Sequence, residues 1–440
     1  MAVGSLFANK LHKLFAQVSQ KSDIEGLPIA LTWLMKKIWR KAKYLSVYTL
    51  SFPIAIALVL IRPIIKVRLI CLFSARIGHY ALNTELMLCT FEADKHSCRR
   101  QINLFYTQCG ADICNRQLHK MWKRVIPITP FPVMAYQIDR LSGLILGDSY
   151  GNDEIKKIFE HPIGARDKDG LFKKTKPHLY FTDEEELQGR QLMEQLGVPR
   201  DAHIVCLLVR DSKYLNHHLP DSDWSYQNYR DADIENYKKT ALFLAEKGYY
   251  LLRMGKWVDK AFNVGHPKVI DYANHPLRSD FMDIYLSSQC DFFISTATGL
   301  DSVATIFRKP IIFTDLAQLF LLPTFYPIKL FIPKKLVDIN SGHYLPLKEM
   351  INILLKPDNK DKIIPQVLRE EEVKFIGNTP EEILSVVMEM VCQLEGSWQV
   401  SEEDRMLQKK FWSQYPSNKC DDINVRIGSA FLRENIKFLN

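Results

Sequence analysis

At 440 residues the chain is too long for one ordinary hydrophobic core, so two core-bearing units are expected. With 47% hydrophobic and 25% charged residues it is too apolar to be a disordered chain. The net charge of +8 fits anionic small molecules or a lipid surface, and no DNA- or RNA-binding motif points to nucleic acid.

The first predicted element is "SLFANKLHKLFAQV" (5–18), which sets Leu6, Phe7, Leu11, Leu14, Phe15 and Val18 on one helical stripe beside Lys10 and Lys13. Basic "KKIWRKAKY" (36–44) then precedes "LSVYTLSFPIAIALVLI" (45–61), which holds no charge before Arg62. That run starts too far from Met1 for a signal peptide. It is interrupted by Pro53 and is of borderline length for a bilayer span of ~20 residues. Basic residues beside an apolar segment suit an anionic membrane surface. A true span would keep the basic side cytoplasmic and carry the main body outside. Residues 1–66 are therefore expected to form an apolar, amphipathic helical anchor seated on the membrane rather than crossing it. A helix buried against the body of the protein would show the same pattern.

Residues 67–73 read as a buried strand, 80–94 as a helix, 101–107 as a second strand and 113–125 as a second helix. Strand and helix in alternation signal a parallel sheet covered by helices. The stretch 126–175 is less legible. Thr182 then caps a helix whose first turn is "DEEE", and Gly197 with Pro199 ends it. A second alternating run follows: strand 203–209, polar loop 210–233, helix 234–248, strands 249–254 and 268–272, helix 280–289, and strands 291–295 and 310–313. Two helices with acidic first turns, 379–394 and 401–415, come last and are expected to pack back across the fold. The fold class is α/β with two Rossmann-like domains facing a cleft. The expected boundaries are 67–178, 179–390 and a closing segment 391–440, after the N-terminal 1–66. Nine irregularly spaced cysteines suggest free thiols in a reducing compartment; "CGADIC" (109–114) is too widely spaced for a zinc knuckle and has no second pair nearby.

In an open parallel sheet, ligands bind beyond the carboxyl ends of the strands. "STATGLDSVATIFRKPIIFTD" (295–315) stands at such a place. Thr298 and Asp301 have the spacing of a capping box, which capping alone explains. The small, hydroxyl-bearing string with Gly299 and Ser302 also offers unpaired amides to a phosphate, with Asp301 facing a sugar hydroxyl. "LLVRDSKY" (207–214) ends a strand with Arg210 and Asp211, and "YLLRMGKW" (250–257) repeats the pattern with Arg253 and Gly255. Guanidinium groups there can grip phosphate, and Gly255 permits close approach; surface ion pairs are the plainer alternative. In the first half, "SARIGHYALNTEL" (74–86) brings Arg76, Gly78 in a tight turn, and His79 at a helix start. His79 could take a proton from an acceptor hydroxyl, with Glu85 orienting it or acting alone; a packing or capping histidine is the alternative. "YRDAD" (229–233) adds Tyr229 and Arg230, which could meet sugar or acceptor or merely tie down the loop. The nearest Asp-x-Asp pair, "DSD" (221–223), lies in a loop, so no metal and no separate cofactor are expected, metal binding there being the lesser alternative.

The set "RIGHYALNTEL", "VRDSKYLN", "YRDADIENY", "GYYLLRMG" and "ISTATGLDSVATIFRKP" resembles a group of bacterial glycosyltransferases of GT-B architecture, from about Leu45 to the C-terminus. It is also distantly similar to heptosyltransferases, in which a capped helix precedes the second domain. The resemblance implies surface-polysaccharide or glycoconjugate synthesis; the enzyme expected is inverting and metal-independent, on the cytoplasmic face of the inner membrane. It implies a nucleotide-sugar donor bound by Arg210, Arg253, Gly255, Thr298, Gly299 and Asp301, with His79 as base toward a glycan or lipid-linked acceptor. No glycine-rich GxGG loop accompanies Gly78, which departs from the pattern. A fucosyltransferase-like enzyme using a GDP sugar, and a non-catalytic membrane-bound nucleotide-binding scaffold, are the competing readings.

Overall fold

Seven parallel strands organise most of the chain. The computed structural model describes residues 32, 35, 47–93, 101–146, 166–167, 169–218, 223–359, 362–416 and 425–440. The elements used below are, in chain order, β1 (Lys66–Leu72), α1 (Ile77–Ala93), β2 (Gln101–Thr107), α2 (Arg116–Val125), α3 (Pro132–Leu146), α4 (Asp183–Gln195) and β3 (Ile204–Leu208). There follow α5 (Lys238–Glu246), β4 (Tyr250–Arg253), β5 (Val269–Ile270), α6 (Asp280–Gln289), β6 (Phe292–Ser295), α7 (Asp301–Ile306), β7 (Ile311–Leu316) and β8 (Ile328–Pro333). The chain ends with β9 (Lys335–Asp338), β10 (Val373–Ile376), α8 (Pro380–Leu394), α9 (Glu402–Gln414) and β11 (Arg426–Ile427).

Two compact units interleave along the sequence. The smaller comprises the described parts of residues 1–71, 98–109 and 128–153. In it β1 and β2 form a two-stranded sheet, and Ile128 bridges Phe105. Ala55, Leu69, Tyr106, Ala135, Ile138 and Leu141 make its core. The illegible stretch after 126 includes α3, opened by Pro132 where a missing N–H costs a helix nothing.

The larger unit takes residues 72–97 and 110–127 together with 154–440. Thus α1 and α2, which fall in the expected domain 67–178, belong to the unit that holds the large sheet, α1 packing on α7 and α2 on α6. The physical reasons are local. Gly78 on α1 meets Gly299 backbone to backbone. At the start of α2, Asn115 Nδ2 donates to Asp280 O at 2.9 Å and the Arg116 N–H donates to Asp280 Oδ2 at 2.8 Å.

The sheet order is β11-β8-β7-β6-β3-β4-β5, parallel at every pairing. β3, β6 and β7 are buried at every position, which is why they read as unbroken apolar runs rather than alternating ones. From β3 the chain winds out through β4 to β5, then returns to the other side of β3 with β6. The winding reverses between β3 and β6, so a crevice at their carboxyl ends is dictated by topology. Capping boxes start α4, α8 and α9, each with Thr or Ser answered by an acid three residues on. α8 packs against β8 and α5, within the larger unit.

The amphipathic stretch 5–18 and the basic run 36–44 lie outside the described residues. Residues 47–61 are helical, and no helix among the described residues is long and apolar enough to cross a membrane.

Candidate functional site

A cavity of about 590 Å³ opens at the reversal point, walled by the β3 and β6 ends and by the start of α1. The two strand ends are stitched together: the Arg210 N–H donates to Thr296 Oγ1 at 2.9 Å. The Arg210 side chain lines the cavity and pairs with Asp231. Asp211 also lines it, while accepting from the Lys213 N–H at 2.9 Å and the Asp259 N–H at 3.0 Å, so its carboxylate fastens two loops.

Arg230 reaches the same cavity from the short 3-10 helix Ser225–Arg230 and donates Nη2 to Ala297 O at 2.7 Å. Burial and then Arg230 pull the Arg210 guanidinium down to about 10. Burial lowers Arg230 as well, with Arg76 among the lesser causes. Arg76, the third guanidinium, lies over the Trp224 ring at 5.7 Å on the cavity wall. Like charges held this near one another favour an anion between them.

The turn after β6 is built from within. Asp301 is buried and accepts from Ser295 Oγ at 2.8 Å and the Thr298 N–H at 2.7 Å, while Ser302 Oγ lies 3.4 Å away. Burial pushes its carboxyl up to about 6. Asp301 therefore braces the turn from within while lining the cavity, its carboxylate oxygens turned to Ser295, Thr298 and Ser302. Thr298 Oγ1, in contrast, is buried at the cavity wall with no hydrogen-bond partner. The left-handed residue of the turn is Ala297, at φ 57°, and not Gly299. Gly299 is needed for proximity: a Cβ there would stand 3.1 Å from Gly78 N and 3.1 Å from Ile77 Cγ2. Gly78 has the same purpose, a Cβ there meeting Gly299 Cα at 3.0 Å, which replaces the tight turn expected of it. Gly255 lines the cavity at φ 150°, where a Cβ would lie 2.6 Å from Val258 Cγ1.

His79 lines the cavity from the first turn of α1, with Nδ1 3.4 Å from Asn83 Oδ1. With Nδ1 as the donor, Nε2 keeps its lone pair. Burial lowers its pKa below the ordinary 6.5, the Asn83 contact opposing and Arg76 adding to the effect.

Three sequence-selected residues lie elsewhere. Arg253 is 1% exposed and donates Nη1 to Asp271 Oδ1 at 3.0 Å. It is a structural ion pair linking the ends of β4 and β5, away from the cavity lining. Glu85 is fully buried and pairs with Arg308 Nη2 at 2.8 Å, so it neither orients His79 nor faces the cavity. Tyr229 accepts from Gln318 Nε2 at 2.8 Å and stacks on Phe375 in a separate, smaller pocket. Of the "DSD" stretch only Asp223 is described; it is exposed and accepts from the Ser225 N–H at 2.9 Å.

Sequence reading missed Asn83, Trp224 and Arg278, all on the cavity wall. Arg278 pairs with Asp283 and had no strand end to mark it. Asn83 carried a signal: it stands four residues after His79, one helical turn away.

No protein-family model and no curated protein matches the sequence. Among solved structures, the chain is similar to the glycosyl transferase family 9 protein of Veillonella parvula, at 10% identity over 69% of this chain and 95% of that one, with a TM-score of 0.37. It is similar to E. coli ADP-heptose lps heptosyltransferase II, at 12% identity over 69% and 99% of the two chains, with a TM-score of 0.31. E. coli heptosyltransferase WaaC, solved with ADP, gives 10% identity over 61% and 91%, with a TM-score of 0.30.

Proposed function

We propose that this chain is a glycosyltransferase of the GT-B kind, moving a sugar from a nucleoside-diphosphate donor to an acceptor hydroxyl. One observation carries the reading: Arg76, Arg210 and Arg230 converge with the 297–300 turn and His79 on a single cavity at the point where the sheet's winding reverses. The donor diphosphate lies against Arg210, Arg230 and the turn, with the unpartnered Thr298 hydroxyl donating to it. As the bond to the sugar breaks, charge grows on the leaving diphosphate and these fixed donors stabilise it; each such donor is typically worth about 10²–10³ in rate. Neutral His79 takes the acceptor proton through Nε2, its tautomer set by Asn83. Direct attack opposite the leaving group inverts the sugar centre, and no metal has a step in this scheme.

The acceptor is a glycan or lipid-linked glycan of bacterial surface-polysaccharide or glycoconjugate synthesis at the cytoplasmic membrane face. Support for a membrane surface comes from the 47–61 helix, whose Leu50 and Leu60 side chains are 63% and 72% exposed.

The test is calorimetry with ADP, GDP and UDP against the full chain and its Arg230→Ala and Thr298→Val variants. One nucleotide should bind the native chain, and Arg230→Ala should lose that binding while circular dichroism stays unchanged. If none of the three binds, or if Arg230→Ala binds equally well, the reading fails.

A further inference from the structure

Away from the cavity, α1 and the segment before α4 enclose a second group of reactive side chains. Glu85 and Cys89, one turn apart on α1, are both 0% exposed, and His178 reaches them from the preceding loop. One carboxylate oxygen, the Cys89 sulfur and one His178 nitrogen lie within 4.8 Å of one another. Arg308, just past α7, donates Nη2 to Glu85 Oε1 at 2.8 Å and to Thr175 Oγ1 at 3.2 Å. That ion pair satisfies only one carboxylate oxygen. Glu85 Oε2 is buried without a hydrogen-bond partner, while His178 Nδ1 stands 3.2 Å from Oε1. Buried polar atoms almost always find partners, so an unmatched carboxylate oxygen beside a buried thiol and an imidazole calls for an explanation.

The spacing along α1 supplies another part. Glu85, Cys89 and Glu92 fall at i, i+4 and i+7, a single stripe of the helix. Glu92 Oε2 stands 3.5 Å from His178 Nε2. A carboxylate behind Nε2 leaves Nδ1 facing the thiol and the other carboxylate, which is how proteins present a histidine to a metal.

We propose that Glu85, Cys89 and His178 bind a divalent transition metal of the zinc class through carboxylate, Sγ and Nδ1, with Glu92 and Arg308 as outer partners. Nitrogen, thiolate and carboxylate together suit zinc rather than magnesium or calcium, which prefer oxygen throughout. The thiolate and the Glu85 carboxylate offset the dication. None of the three ligands lines the cavity, so the ion is structural: it clasps α1, whose first turn holds His79, to the segment leading into α4.

Cobalt titration of the full-length, chelator-treated chain tests this, because thiolate-bound cobalt absorbs in the near ultraviolet. One equivalent should give the thiolate band, and added zinc should abolish it. Cys89→Ser should lose the band, Glu92→Gln should weaken affinity by about tenfold or more, and Cys392→Ser on α8 should leave both unchanged. Should Cys89→Ser fail to fold, the native chain still decides: zinc must raise its melting temperature and a chelator must reverse the rise. Absence of a one-equivalent thiolate band in the native chain, or a band that survives in folded Cys89→Ser, overturns the proposal.

Discussion

His79 lines the cavity with Nδ1 turned toward Asn83. Burial keeps the ring neutral to lower pH than an ordinary imidazole, so kcat/KM should fall in acid with an inflection below 6.5. His79→Gln should remove that limb and cost about 10²–10⁴ in rate, as loss of a general base does. A pH profile of sugar transfer with native and variant chains checks both. Arg210 was legible because it closes a buried strand. Arg253 closes one too, yet its side chain runs to the Asp271 carboxylate and does not line the cavity. The alternation of side chains across a sheet decides such cases, and a strand of four residues leaves its facing ambiguous in sequence.

At the level of elements, α1 and α7 start against one another with no side chain between Gly78 and Gly299. Gly78→Ala should therefore lower unfolding free energy by about 1–3 kcal/mol, the usual cost of forcing atoms into a filled space. Urea denaturation would measure it, and a loss below a few tenths would show that the helices part easily. Capped helices were the most readable elements, since Thr182, Thr379 and Ser401 announce them with acids three residues later. The strands β8 to β11 escaped notice for an opposite reason. β11 has two residues, and its extended form is set by pairing with Leu330 and Phe331 on β8, not by anything in its own composition. The same dependence on distant partners hid the allegiance of α1 and α2 to the larger unit.

For the whole molecule, buried acids contribute to the pH response. Burial raises Asp283 and Asp301 from 3.8 to about 6, so the folded chain keeps their protons longer than the unfolded chain does. Their stabilising share is complete below about pH 4 and is lost as pH rises through about 6. Asp301→Asn should flatten that part of a stability-against-pH curve obtained by chemical denaturation; an unchanged slope would place the titration elsewhere. Deleting residues 1–62 should end co-sedimentation with anionic vesicles while nucleotide binding persists, since the cavity is lined by residue 76 and beyond. Vesicle binding that survives the deletion would move the membrane contact to another surface.

The glycine pair also limits how ligand preference can be altered. Where Gly78 and Gly299 line the cavity its wall is bare main chain, so no exchange of side chains can enlarge it there. Laboratory evolution toward bulkier donors would have to work through Trp224 and Tyr226, whose rings can be trimmed without disturbing two helix starts at once.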